Sequence, residues 1–390
     1  MKKILYLSFY FEPDLCAGSF RNSPLARELA KQVKGKATID IITTVPNRYS
    51  SFSAEAPQDE CADNLRIRRI ILPRHKSGFV DQIKAFYIYY REVKKMIRGN
   101  HYDLVFASSS RLFTAYLGYG ISSRRKIPLY IDIRDIFTDT LNDVITNSLI
   151  KFFLLPILRR IETNVFNYAS HINLISEGFK GYFSKYSNPK YSYYTNGIDQ
   201  EFVQASSFEE LLTPYPITIT YAGNIGEGQG LHKIIPQAAR MLGDAYRFRV
   251  IGDGGAKKLL ANAIEQEKVR NVTIEKPVRR TDLLEIYKRS HYLFMHLNDY
   301  AAFEKVLPSK VFELGAFPRP IIAGVNGYAR SFIEQNLSDT LLIRPTDAQA
   351  LVNSLRRHNY KIKVRHEFIE QFSRKAINNK LAQSIASYLA

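Results

Sequence analysis

Cysteine is scarce in this chain, with Cys16 and Cys61 alone in 390 residues. Two thiols cannot build a disulfide framework, and no close spacing of cysteine and histidine offers a metal cluster. That scarcity fits a reducing, cytoplasmic setting. Long apolar runs are lacking too. The longest, Leu149–Leu158, is broken by Lys151 and Pro156. It falls short of the roughly 18–20 residues that span a bilayer, so an integral membrane protein is not expected. Lys2, Lys3 and the apolar Ile4–Phe11 imitate a secretory leader. Pro13 and Asp14, however, stand before Cys16 where a lipid-attachment site requires small or apolar residues. A strand followed by a loop is the better reading. Tandem repeats and low-complexity tracts are also missing.

Acidic residues are in deficit, 37 against 55 lysines and arginines, for a formal net charge of +18. Both halves share the excess: 29 basic against 18 acidic residues up to position 200, and 26 against 19 beyond it. Such a balance suggests a polyanionic partner, whether nucleic acid, an anionic membrane surface or phosphorylated small molecules. The alternative is a solvated basic surface with no partner. Hydrophobic residues make up 45% of the chain, ordinary for a globular protein, and the length suits two domains.

Short β-type runs alternate with helical periodicity throughout. In the first half, strands are expected at 4–9, 37–43, 65–72, 104–107, 129–133, 171–175 and 191–194. Helices are expected at 21–32, 79–97, 112–120 and 149–168. The pattern restarts with strands at 217–221, 248–251, 272–274, 292–296 and 320–323, and helices at 231–242, 256–267, 282–288 and 309–316. Alternation of this kind implies parallel sheets covered on both faces, an α/β class with two doubly wound, Rossmann-like domains. The polar segment Asp199–Pro216 breaks the periodicity as a linker does. The expected division is 1–200, 201–365 and a C-terminal helix over 366–390 that packs back toward the N-terminal domain.

Ligands of such domains bind at the carboxyl ends of the strands, where helix N-termini attract anions. After the first strand come Gly18 and Arg21, a close-approach glycine and a fixed cation. The alternative for Gly18 is a plain turn. After the first strand of the second domain come Gly223, Asn224, Gly226, Gly228, Gln229 and Gly230. This spacing matches neither the dinucleotide fingerprint nor the Walker loop, which leaves another phosphate-bearing ligand. Further on, Pro308 and Ser309 open a helix that carries Lys310 and Glu313. Lys310 can meet an anion there; Glu313 either caps the helix or grips a ribose.

Together these segments resemble the bacterial family-4 glycosyltransferases of GT-B fold, above all the branch that assembles O-antigen and capsule repeats. The likeness rests on Tyr10–Arg21, Tyr130-Ile-Asp-Ile-Arg-Asp135, Asn196-Gly-Ile-Asp199, Tyr221–Leu231, Val250-Ile-Gly-Asp-Gly254, Leu307–Ala316 and Pro320-Ile-Ile-Ala323. The resemblance implies two domains facing each other across a cleft, with the acceptor bound by the first. It gives Glu313 to the ribose of a nucleotide-sugar. Gly18, Gly226 and the Ser309–Lys310 helix start go to the donor diphosphate, with Arg21 or Lys305 as further cations. Gly252 and the Pro277–Arg280 loop, with Arg279, go to the walls around the base. The family's arginine and lysine in the first donor-domain loop are replaced by Asn224 and Gln229. Lys305 stands where the first glutamate of its paired-glutamate motif belongs.

The resemblance further implies a retaining, metal-independent hexosyl- or N-acetylhexosaminyl-transferase without a cofactor. The implied donor is a nucleotide-sugar, uridine by branch. Lys310 would stabilise the leaving phosphate, and Asp135 is the candidate acid/base, against the alternative of a buried Asp–Arg pair. Apolar stripes beside cations mark a membrane-facing acceptor surface for a lipid-diphosphate-linked saccharide. One holds Phe79, Ile83, Phe86, Tyr87 and Tyr90 beside Lys84, Arg91, Lys94, Lys95 and Arg98. The other holds Phe153, Leu154, Ile157, Leu158 and Ile161 beside Lys151, Arg159 and Arg160. The alternative for each is the core face of a packed helix. The rival readings are a GT-B enzyme with a soluble acceptor, a nucleotide-sugar epimerase, and a basic nucleic-acid-binding protein. No nucleic-acid module is recognisable, so nucleic acid is not expected as a partner.

Overall fold

The computed structural model of the chain describes residues 1–14, 16–46, 55–73, 79–109, 112–145, 147–204 and 215–389. The chain folds as two compact units, Met1–Asn196 with Ala376–Ala390, and Gly197–Lys375.

In the first unit the apolar runs become β1 (Lys2–Ser8), β2 (Ala37–Thr44), β4 (Leu65–Ile70), β5 (Leu104–Ser109), β6 (Leu129–Ile133) and β7 (His171–Leu174). With β3 (Asp59–Ala62) and β8 (Lys190–Ser192) they form one sheet, ordered β3-β4-β2-β1-β5-β6-β7-β8. β1, β5, β6 and β7 are almost wholly buried, as strands covered on both faces must be. β3 escapes the periodicity reading because all four of its residues are exposed. It pairs antiparallel with β4 at the sheet edge, where Asp59 meets Arg66.

Between and after these strands run the helices α1 (Ala17–Gln32), α2 (Phe79–Met96), α3 (Leu112–Arg125), α4 (Phe137–Val144) and α5 (Ser148–Tyr168). α1 begins four residues earlier than its apolar period suggests, so Gly18 lies in its first turn rather than in a loop. Leu25 and Leu29 of α1 pack with Ile4, Tyr6, Phe106 and Tyr130 on one face of the sheet. On the other face Gly118 of α3 lies close against Val105 and Ala107.

The second unit holds β9 (Ile217–Asn224), β10 (Tyr246–Asp253), β11 (Val272–Glu275), β12 (Tyr292–His296), β13 (Ile321–Gly324) and β14 (Leu341–Ile343). They form a wholly parallel sheet ordered β11-β10-β9-β12-β13-β14. Strand order reverses between β1 and β5 in one sheet and between β9 and β12 in the other. The crevice at such a reversal is where open α/β sheets receive ligands.

The single helix expected over 366–390 is two. His366–Gln371 sends Phe368 into the core of the second unit, while Arg374–Ala386 sends Leu381, Ala382 and Ile385 into the core of the first. The break coincides with backbone pairing of Ile198 to Phe372 and Arg374, which removes those groups from a continuous helix. Residues 205–214 of the expected linker lie outside the described residues. No described helix is long and apolar enough to cross a membrane.

Candidate active site

At the reversal point of the second sheet, β9 runs into the glycine segment. β9 and β10 pair to their last residues, Gly252 beside Gly223, and a Cβ on Gly252 would collide with the Gly223 carbonyl oxygen. Gly230 ends the segment at φ 57°, a left-handed conformation that favours glycine. Asn224 and Gln229, which stand where the family carries cations, hold each other: Asn224 Nδ2 donates to Gln229 Oε1 at 2.7 Å. The same oxygen accepts from the Gly226 amide at 3.2 Å. They shape the loop.

Two braces come from the strand across the reversal, and periodicity gave no sign of them. Thr346 N donates to His296 Nε2 at 2.8 Å, so His296 Nδ1 carries the proton and donates to the Gln229 carbonyl at 2.6 Å. Burial pushes the His296 pKa down to about 4, which keeps the ring neutral. Asn298 Nδ2 donates to the Glu227 carbonyl at 2.9 Å, and its own amide donates to the Gly228 carbonyl at 2.8 Å.

Lys310 and Glu313 sit on one face of the helix Lys310–Gly315 and form an ion pair. Lys310 Nζ also lies 3.4 Å from the Tyr287 hydroxyl. The Lys310 Cε would be 3.4 Å from a Cβ on Gly223, which brings the lysine to the mouth of the glycine segment. Burial would raise the Glu313 carboxyl, but Lys310 and Arg280 hold it below its usual range. Burial would lower Lys310, and Glu313 lifts it above its ordinary value.

Ser309 precedes this helix without capping it through its side chain, and Lys305 closes the short turn Ala301–Lys305. Arg279 opens the helix Arg280–Lys288 as its N-cap. Its guanidinium is exposed and pairs with Asp282 one turn along. The neighbouring Arg280 points inward instead, bonding Asp199 and Glu201 over the Phe202 ring at 4.6 Å.

In the first unit Arg21 corrects the expectation. It is 1% exposed and clamps Asp132 in a two-pronged pair, Nε–Oδ2 2.7 Å and Nη2–Oδ1 2.8 Å. Nη1 and Nη2 donate further to the Thr195 and Tyr194 carbonyls, respectively. An arginine so deeply buried, with four of its five N–H donors spent inside the unit, ties α1 to β6 rather than facing a diphosphate. The buried Asp–Arg pair weighed against Asp135 therefore exists, but between Asp132 and Arg21. Asp135 stands beyond the end of β6, half-buried, accepting from Thr140 Oγ1 at 3.3 Å and from the Ile136 amide. Burial pushes its pKa up to about 6.

The two apolar stripes divide between core and surface. In α2, Ala85, Tyr89 and Val93 face the core, while Ile83 and Tyr87 are exposed beside Lys84, Arg91 and Lys95. Phe86 packs in an aromatic row with Phe9 and Phe113, and Lys94 covers the Tyr90 ring at 4.5 Å. The Phe79 side chain lies outside what is described. In α5, Leu155, Leu158 and Val165 take the core face. Leu149, Ile150, Phe152, Phe153 and Ile157 stand out in solvent, Phe152 at 72% and Phe153 at 67% exposed, with Arg159 and Arg160 exposed one turn on.

Residues 203–375 match the family described as glycosyl transferases group 1. This segment is a glycosyltransferase domain. It contains the glycine segment, the Lys310–Glu313 pair and both braces, and it bears out the resemblance to the bacterial family-4 glycosyltransferases. Over 140 residues the chain is 28% identical to the putative colanic acid biosynthesis glycosyl transferase WcaI of Escherichia coli K12. That match takes in 35% of this chain and 34% of the relative. Among solved structures, HepE of Anabaena in complex with UDP and glucose superposes with a TM-score of 0.66 at 15% identity, over 99% of this chain and all of the other. The lipopolysaccharide outer core galactosyltransferase WaaB superposes at 0.61 and 14% identity, over 99% of both chains. The glycosyltransferase domain thus belongs to a chain of GT-B fold, as expected.

Proposed function

We propose that this chain transfers a hexosyl or N-acetylhexosaminyl group from a UDP-sugar to a lipid-linked saccharide, with retention at the anomeric carbon, in surface polysaccharide assembly. The observation that carries the reading is the Lys310–Glu313 pair set against Gly223 at the strand reversal of a glycosyltransferase domain. Cleaving a sugar–diphosphate bond leaves negative charge on the departing phosphate. A lysine held in place before the reaction stabilises that charge without reorganisation, and one such donor is worth about 10²–10³ in rate. When the ribose hydroxyls hydrogen-bond to Glu313, Lys310 turns from its carboxylate to the phosphate. Because lysine and backbone amides supply the positive charge, the reaction needs neither metal nor cofactor. Asp135, with its pKa near 6, is suited to take the acceptor proton.

Names among the related proteins support donor and pathway: HepE was solved with UDP and glucose, and WcaI and WaaB are named for colanic acid and lipopolysaccharide sugars. The exposed apolar ends of α2 and α5 with their cations suit the anionic inner face of the cell membrane, and they support a peripheral position on its cytoplasmic side. Calorimetric titration with UDP, GDP and ADP at fixed salt tests the reading. UDP should bind, and Glu313→Ala should lose that binding; a protein that binds none of the three refutes it.

A further inference from the structure

β1, β5 and β6 bring Ser8, Ser108 and Asp132 to one level of the first sheet, in register beneath α1. α1 meets this layer residue by residue. Asn22 Nδ2 donates to Ser8 Oγ at 2.8 Å, Arg21 clamps Asp132, and Gly18 lies over Arg134. Arg134 Nη1 is 2.8 Å from where a Cβ on Gly18 would stand.

Two side chains in the layer lack an answering group. Ser108 is 4% exposed and its hydroxyl has no hydrogen-bond partner among the described residues. The Nε of Arg134, sealed from solvent, has none either. Asp132, two residues before Arg134, is taken: its oxygens accept from Arg21 and from Asn173 Nδ2 at 2.8 Å. Burial lowers the Arg134 pKa, and the Arg21 charge adds to that; Cys16 and Asp132 oppose it. The opening turn of the 16-residue α1 brings no acidic side chain and adds its own partial positive charge. A guanidinium whose Nε is cut off from water is ordinarily paired or bound to a ligand.

We infer that Arg134, Ser108 and the opening turn of α1 form a subsite for a phosphoryl group carried by the acceptor. The guanidinium fork grips two oxygens and the serine hydroxyl reaches a third from another direction, which suits a tetrahedral anion. Gly18 leaves the space that a side chain would take from the guanidinium. That the acceptor carries the phosphoryl group rests on the sugar-transfer reading; the anion site does not.

The test titrates inorganic pyrophosphate into the full chain saturated with UDP. The wild type should bind it and Arg134→Gln should bind it at least tenfold more weakly, with Arg134→Lys recovering part of the loss and UDP affinity the same in all three. Thermal unfolding of Arg134→Gln should occur at or above the wild-type temperature, because a guanidinium with a desolvated, unpartnered Nε has gone. Equal pyrophosphate affinity in wild type and Arg134→Gln overturns the subsite, as does a clear drop in unfolding temperature, which marks a structural arginine. Weaker UDP binding in Arg134→Gln also overturns it, by moving the arginine to the donor. If UDP fails to bind the wild type, the sugar-transfer reading falls, and the same titration without UDP still decides the subsite. Replacing pyrophosphate by a short prenyl diphosphate or by a hexose phosphate distinguishes a lipid from a soluble source. Tighter wild-type binding of either, lost in Arg134→Gln, upholds the subsite.

Discussion

The cations near the glycine segment of the second unit and those beneath α1 in the first are held differently. In the second, Lys310 is neutralised by Glu313, and Arg280 by Asp199 and Glu201, all around the glycine segment. In the first, Arg21 is locked to Asp132 beneath the sheet end while Arg134 has an Nε with no partner among the described residues. A cation that carries its own carboxylate can be exchanged onto a ligand at small desolvation cost, which suits a site that binds and releases a nucleotide each turnover. A deep clamp such as Arg21–Asp132 serves the fold. Charge alone therefore does not mark a ligand site; the availability of the charge does.

Breaking the clamp should have the largest effect. Asp132→Ala leaves Arg21 buried and uncompensated and should cost about 3–5 kcal/mol. Urea unfolding followed by a probe in the first unit measures it, and adding Arg21→Met should recover much of the loss. Lys310→Ala should lower kcat about 10²–10³-fold, because the departing phosphate loses its cation, while Arg280 still faces the Glu313 carboxylate and the chain stays folded. Arg159→Ser with Arg160→Ser should weaken cosedimentation with phosphatidylglycerol vesicles about thirtyfold, at about 1 kcal/mol per basic residue, without changing UDP binding.

The smallest effect is in pH. Asp135 has a folded pKa raised to about 6, so the folded state holds a proton that the unfolded chain releases. Its contribution to stability is lost as pH rises from the usual carboxylate range through about 6. Its capacity as a base grows over the same interval. Turnover should fall roughly fivefold from pH 6 to pH 5. Asp135→Asn should remove that limb of the profile and gain stability at pH 7.

Much of the fold was legible because parallel strands buried on both faces appear as short apolar runs, Leu129–Ile133 and Tyr292–His296 among them. β3 was not, since Asp-Glu-Cys-Ala has no inward-facing apolar residue. The motif around Lys310 and Glu313 could be read because residues three apart on a helix share a face whatever surrounds them. Which arginine pairs with Asp132 could not be read. Arg134 is two residues away and Arg21 is 111, and only the register of α1 over β6 brings the distant one in. The same holds for Arg279 and Arg280, adjacent in sequence, where one helix start turns the first to solvent and the second to Asp199. His296 left no trace in periodicity because its partners are a backbone carbonyl and a backbone amide.

The proposed donor site is the Lys310–Glu313 pair, and calorimetric titration of UDP into wild type, Lys310→Ala and Glu313→Ala tests that proposal most directly. One UDP should bind per chain in the wild type, with binding lost in Glu313→Ala and markedly weakened in Lys310→Ala, both variants folded. Wild-type affinity in both variants would contradict it and leave the glycine segment a structural turn.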